Sequence, residues 1–250
     1  FKVYGDGALG SRGAVLKSPY CDDPHNYGIL RTSMEDLKFY AKEIAEMGFQ
    51  MNTHAIGDST VSVLLNEYKK ILKDIDDPRW RIEHSQVVDI NEFDLYNEKI
   101  LPSVQPTHAT SDMYWAYDRL GKRIEGAYAF KDLLSSSKRI ALGTDFPVEK
   151  VNPFHTFYSS IERKDLNGYP ENGFQVENAL TREETLKGMT IWGAYFNFEE
   201  KEKGSIEKGK YADFVLIDQN IMEINPDKIP HTKVLKTFVN GELVYQNNAL

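Results

Sequence analysis

Cysteine is almost absent from this chain, Cys21 being the single one in 250 residues. One thiol excludes an internal disulfide and any thiolate-built zinc cluster, so a metal bound here would take nitrogen and oxygen ligands. Cys21 lies in a polar stretch, "SPYCDDPHNYG", without a histidine in a base-like setting, and reads as an incidental thiol rather than a nucleophile. Long apolar runs are missing as well: none approaches the ~18 residues that span a bilayer, and no charged-then-apolar leader opens the chain. There is no run of basic residues. The net charge of −8 is scattered, which argues against nucleic acid as a partner and for a small molecule. An initiating methionine is also lacking. The chain opens on Phe1 in "FKVYGDG", a strand already under way, so further polypeptide is expected ahead of it and the compartment is not legible, cytoplasm being the default.

What is present is core-forming material. With 41% hydrophobic and 12% aromatic residues the chain can bury one large domain, or one with a small appendage. Strand-like runs recur as "FKVYGD", "FQMNTH", "WRIEHS", "ILPSVQP" and "RIALGTD", and the stretches between them show helical apolar spacing. In "SMEDLKFYAKEIAEMG" Ser33 can cap and Gly48 can stop a helix, and in "DSTVSVLLNEYKKILKDI" Asp58 or Ser59 can cap. Further helices are predicted over "GAYAFKDLLSSS" and "TREETLKGMTIWGAYF", the latter opened by a Thr181/Glu184 capping box. Strands alternating with helices predict a parallel sheet flanked by helices, and five strands are too few to close a barrel. After about residue 203 the texture changes to β-branched alternation with an Asn240-Gly241 hairpin signal. Residues 1–203 are therefore expected to form the α/β part and residues 204–250 a small β element.

Nearly every strand-like run ends on a polar group: Asp6, His54, His84, Gln105 and Asp145. In parallel α/β folds the carboxyl ends of strands face the active site, so these groups should gather at one mouth. His54, His84 and Asp145 offer two imidazoles and a carboxylate, a set suited to zinc, iron, nickel or manganese with a position open for water. Such a centre would supply hydroxide near neutral pH, with the aspartate moving a proton, which points to hydrolysis. A histidine at a strand end is, taken singly, as well explained as a hydrogen-bonded structural group.

The ordered set "KVYGDGALGSR", "NTHAIGD", "RIEHSQ", "QPTHATSD", "ALGTDFPVE" and "KGSIEKGKYADFVLID" resembles the YtcJ-like branch of the metal-dependent amidohydrolase superfamily, amidohydrolase family 3, across essentially the whole chain. The resemblance implies a (β/α)8 TIM barrel, with strands 4 to 8 present here and strands 1 to 3 missing, carrying part of a small β-sandwich at the C-terminus. It also implies roles. Lys2 on strand 4 would be carboxylated to a metal-bridging carbamate, and His54 and His84 would be the strand 5 and strand 6 ligands. Asp145 on strand 8 would bind metal and act as general base and then general acid. The cofactor would be a divalent metal, zinc in the first instance, as one or two ions in the full-length protein. The substrate would be a small molecule carrying a C-N bond of amide, N-acyl or N-formyl type. A deaminase of the same superfamily is the alternative, although adenosine-type members place a glutamate where this chain has "HAIGD". The family's strand 1 His-x-His pair occurs nowhere in the sequence. The chain is thus expected to be a C-terminal fragment, inactive alone, with a metal site that is incomplete and open to being empty. Exposed sheet edges leave homo-oligomerisation open, and a purely structural role would fit such a fragment too.

Three further residues are weaker candidates for substrate binding. His108 in "VQPTHATSD" either meets substrate or sits in a turn bonded to Asp112. Asp6 and Arg12 in "DGALGSR" either shape a glycine-rich turn or reach the substrate, the structural role being favoured for Asp6. His155 is read as packed, and His25 and His231 as solvated. Tyr114, Trp115 and Tyr117 either line a pocket for an aryl or acyl group or cover the mouth.

Overall fold

Five short strands form the centre of the molecule: β1 (Lys2–Tyr4), β2 (Asn52–Ala55), β3 (Trp80–His84), β4 (Ile100–Val104) and β5 (Ala141–Leu142). They make one sheet in the order β1-β2-β3-β4-β5, every neighbouring pair parallel. The computed structural model describes residues 1–248. Helix α1 (Met34–Glu46) connects β1 to β2, and α2 (Asp58–Ile71) connects β2 to β3. Between β4 and β5 lie α3 (Pro106–Asp112), α4 (Ala116–Leu120) and α5 (Phe130–Ser137). After β5 come α6 (Pro153–Glu162), α7 (Arg182–Met189) and α8 (Ile191–Phe196).

Local chemistry accounts for most helix ends. The Ser33 hydroxyl accepts from the Asp36 amide at 3.0 Å, and Gly48 follows α1 at φ +72, a left-handed conformation that glycine takes without strain. At α7 the Thr181 hydroxyl accepts from the Glu184 amide and the Glu184 carboxylate accepts from the Thr181 amide, a complete capping box. Two expectations need correction. The N-cap of α2 is Gly57, not Asp58 or Ser59; the Asp58 carboxylate instead accepts from the Lys17 amide at 2.8 Å. The stretch from Thr181 to Phe196 is two helices, broken at Thr190 (φ −129, ψ −95), whose hydroxyl donates back to the Leu186 carbonyl at 2.6 Å.

The two faces of the sheet differ. Thr53 and Ile82 are register neighbours and fully buried, and the face they share packs on α2, where Thr53 Oγ1 and Tyr68 OH lie 2.6 Å apart and Tyr68 meets Trp80 edge-on. Val61, Leu64, Leu65 and Tyr68 seat α2 on that face, the aliphatic ones each contributing ~1.5–3 kcal/mol of burial. The opposite face carries Tyr4, His54, Glu83 and Ser103 side by side on four strands, and Tyr4 is 56% exposed. Parallel sheets are usually apolar on both faces; this one has a polar second face. At the amino end of β3, buried Arg79 bonds Asp77 and Glu200 and lies 3.7 Å from the Tyr195 ring centroid, tying the chain beyond α8 to the sheet.

The C-terminal segment forms a separate antiparallel sheet of β6 (Phe214–Ile217), β7 (Val234–Val239) and β8 (Glu242–Gln246). Asn240 and Gly241, both at positive φ, make the expected β7-β8 hairpin turn. The stretch from Asp218 to Thr232 between β6 and β7 contains a single 3-10 segment, Pro226–His231, and His231 is exposed, as expected. Residues 249 and 250, the end of the expected β element, lie outside the described residues. Among the described residues no helix is long and apolar enough to cross a membrane.

Candidate active site

The carboxyl ends of the strands converge as the sequence suggests. His54, on β2, and His84, the last residue of β3, place their ring centroids 4.4 Å apart in edge-to-face contact. His84 shares the strand parity of Ile82, which points to the helix side. It nevertheless meets His54 because the backbone turns left-handed there, with φ +75 at His84 and +44 at Ser85. Such positive φ in residues other than glycine is uncommon and collects at functional sites. His108, in the first turn of α3, stacks on His84 at 5.9 Å and 16°, so three imidazoles form a row. Asp145 follows β5 at φ +56, with its carboxylate 4.0 Å from His108 Nε2.

Lys2 approaches the row from the other side. Its Nζ lies 5.6 Å from the Tyr4 ring centroid, and Tyr4 lies 5.5 Å from the His54 ring. Lys2, Tyr4, Asp6, Arg31, Tyr40 and His54 all line an open cavity of about 700 Å³. Asp6 is buried behind His54 and accepts from the amides of Val15, Ile56 and Gly57 at 2.9, 3.0 and 2.9 Å, pinning the end of β1 to the end of β2. That geometry gives it the structural role. Arg12 is placed elsewhere: its guanidinium makes a two-pronged contact with Asp22, which Arg119 shares. His155 packs in α6 beside Asn152 and stays out of the row.

Electrostatics keep the row neutral. Burial pushes the His54 imidazole down to about 4, aided by the Lys2 charge, and burial pushes His84 down to about 3, aided by its neighbours His54 and His108. His108 is lowered by burial too, against the pull of Glu149 and Asp145. The 3.7 Å approach of His54 Nε2 to Asp6 Oδ1 is therefore a contact of a neutral ring with a carboxylate, not an ion pair at neutral pH. Neutral imidazoles offer lone pairs to a metal. His54 Nε2 and His108 Nε2 are moreover buried with no hydrogen-bond partner, the condition in which a polar atom is costly to leave alone. The chemistry of His54 and His84 thus fits a divalent cation as a two-nitrogen platform. The fit stops there: among the described residues no group of three or more His, Cys, Asp or Glu side chains is arranged to hold an ion.

Against this geometry the comparisons with known proteins are decisive for ancestry. The profile described as the amidohydrolase family matches residues 1–245. The chain belongs to the amidohydrolase family. YtcJ of Bacillus subtilis, which carries an amidohydrolase name, is 33% identical over 251 residues, covering 99% of this chain and 47% of that protein. An N-substituted formamide deformylase of Arthrobacter pascens is 21% identical over 222 residues, covering 86% of this chain and 40% of that enzyme. Among solved structures, an uncharacterized metal-dependent hydrolase from Pyrococcus horikoshii superposes with a TM-score of 0.78 at 28% identity, covering 90% of this chain and 45% of that one. This amidohydrolase chain therefore spans about half the length of the curated relatives it matches. Its hydrolase ancestry and the metal dependence of its structural neighbour agree with the sequence-based expectation of a divalent metal and a small-molecule substrate.

A further residue joins the row: Gln105, whose Oε1 lies 2.8 Å from His84 Nδ1. Gln105 was visible only as a polar strand end, and its contact with His84 depends on the pairing of β3 with β4, which no local pattern reveals.

Proposed function

We propose that the whole protein is a metal-dependent hydrolase of C-N bonds in amide, N-acyl or N-formyl compounds. The observation that supports this reading best is the contact of His54 with His84 at the ends of adjacent parallel strands, two neutral imidazoles with Lys2 opening onto the same cavity as His54. On this reading the five parallel strands are the last five of an eight-stranded barrel, residues 204–250 belong to a β-sandwich, and residues 1–203 to the barrel. A divalent cation at the strand ends, zinc in the first instance, would supply Lewis acidity there. His54 and His84 would hold it through ring nitrogens, with Lys2, as a carbamate, and the Asp145 carboxylate as the further ligands.

Asp145 also moves the proton. Its carboxylate takes one from the attacking water and returns it to the departing amine nitrogen, and its exposure at the mouth leaves it accessible to both. His108, 4.0 Å away, orients that carboxylate or polarises the substrate carbonyl. Tyr114, just before α4, and Tyr117, within it, are exposed and offer apolar surface to an acyl or aryl group, whereas Trp115 packs partly buried against the core. The formamide deformylase among the relatives is consistent with a formyl or acyl substrate. With no group of three ligands assembled among its described residues, the 250-residue chain alone is expected to bind metal weakly and to be inactive.

The test is a screen of N-acyl and N-formyl compounds on the whole protein with its metal content measured, together with Asp145→Asn. That variant should lower kcat by at least ~100-fold with the circular dichroism spectrum preserved. An unchanged kcat removes Asp145 from the mechanism.

A further inference from the structure

We infer that Gln105 is a positioning residue that fixes His84 in the tautomer with hydrogen on Nδ1 and the lone pair on Nε2. The inference deepens the proposed metal-hydrolase reading and rests on it for its functional meaning, but the tautomer itself is a property of the chain alone.

The geometry comes from the backbone. Gln105 stands directly before Pro106, and a residue before proline is held extended by the clash with the proline ring; here φ is −122 and ψ is 99. It occupies the N-cap position of α3, yet its side chain makes no capping bond to that helix. The amide is left for another partner. Register supplies one: Glu83 pairs with Ser103, so His84, one residue on, and Gln105, two residues on, are diagonal neighbours at the strand ends. His84 Nδ1 and Gln105 Oε1 lie 2.8 Å apart, and both residues are buried, at 7% and 8% exposure. An amide oxygen only accepts, so the imidazole donates from Nδ1, and a neutral ring that donates from Nδ1 carries its lone pair on Nε2.

The choice of an amide has a chemical consequence. A metal-binding imidazole is usually oriented by a group that accepts from its second nitrogen, and the acceptor is often a carboxylate. A carboxylate at this position would add a negative charge beside a row of three imidazoles. Gln105 supplies the same directional acceptor without charge. It also fixes the rotation of a ring whose own backbone, at φ +75, is in a strained conformation.

The test reads the tautomer directly, in the metal-free 250-residue chain, by nitrogen-15 NMR of the histidine rings. His84 in the wild type should show a pyrrole-type Nδ1 and a pyridine-type Nε2, with at least ~10-fold preference for that form. Gln105→Leu removes the acceptor at similar volume and should abolish the preference, while Gln105→Glu keeps an acceptor and should retain it. Folding of each variant is checked by its amide spectrum, and if the leucine variant does not fold, the wild-type and glutamate spectra still decide. A wild-type or glutamate-variant His84 protonated on Nε2, or a folded leucine variant that keeps the Nδ1-H form, overturns the inference. Titration with Zn2+ separates it from the metal reading. Where the chain binds Zn2+, Gln105→Leu should weaken binding by ~10-fold or more, and equal affinity would overturn the positioning role. A wild type that keeps the Nδ1-H tautomer but binds no Zn2+ supports the Gln105 assignment and agrees with the incomplete ligand set of the 250-residue chain.

Discussion

Replacing Asp6 by alanine should be among the most damaging single changes outside the apolar core. The Asp6 carboxylate is 1% exposed and receives three backbone amides, those of Val15, Ile56 and Gly57, at 2.9, 2.9 and 3.0 Å in the order of Val15, Gly57 and Ile56. Truncation leaves three buried donors without an acceptor, each carrying a penalty of ~1–3 kcal/mol before relaxation. Water entering from the adjacent cavity offsets part of this, so a net loss of about 4 kcal/mol is expected. Asp6→Asn keeps the volume but retains one acceptor oxygen and turns an NH2 group toward donors, for a loss of about 2 kcal/mol. Urea unfolding followed by tryptophan fluorescence measures both, and for slopes of ~2–3 kcal/mol per molar the alanine variant should unfold more than ~1 M earlier. The loosened β1-β2 end should also release His54 from its place beside Asp6. If both variants unfold within ~0.5 kcal/mol of the wild type, the three amides are not clamped by Asp6 in solution and the structural role assigned to it is wrong.

Asp112 provides a pH test. Burial raises its carboxyl from 3.8 to about 6, against the hydrogen bonds from Tyr128 and Gln86 that favour the charged form. A folded pKa above the unfolded value means the native state binds more protons between those limits, so this group's contribution falls as pH rises from ~4 to ~6, by an amount on the order of 3 kcal/mol. Relative to Asp112→Asn, the wild type should lose stability across that window in denaturation curves, and a pH-independent difference would refute the shift. Arg79→Ala removes the guanidinium that joins Asp77 and Glu200 and stacks on Tyr195; with both acids partly solvated, a loss of ~2–4 kcal/mol is expected by urea unfolding.

Much of the fold was legible because its determinants are local. Apolar runs ending in polar residues marked all five parallel strands, Ser33 and the Thr181/Glu184 pair marked helix starts, and Asn240-Gly241 marked the hairpin. The misses were tertiary. Gly57 displaced Asp58 as a cap because a distant loop, at Lys17, took the aspartate, and Thr190 broke a helix whose periodicity ran through it. At the site, His54 and His84 were readable as strand ends, but their contact depends on left-handed backbone at His84 that no residue type advertised. Arg12 shows the converse, a plausible neighbour in sequence that Asp22 holds away from the row.

The proposed metal site rests first on His54 and His84 as ligands. Elemental analysis of the whole protein, purified without added metal and compared with a His54→Ala, His84→Ala double variant shown to be folded, measures it. The prediction is a divalent transition metal in the wild type, zinc first among the candidates, with most of it lost in the double variant along with any C-N hydrolysis. A folded double variant that retains the wild-type metal content would contradict the assignment of these two histidines as ligands.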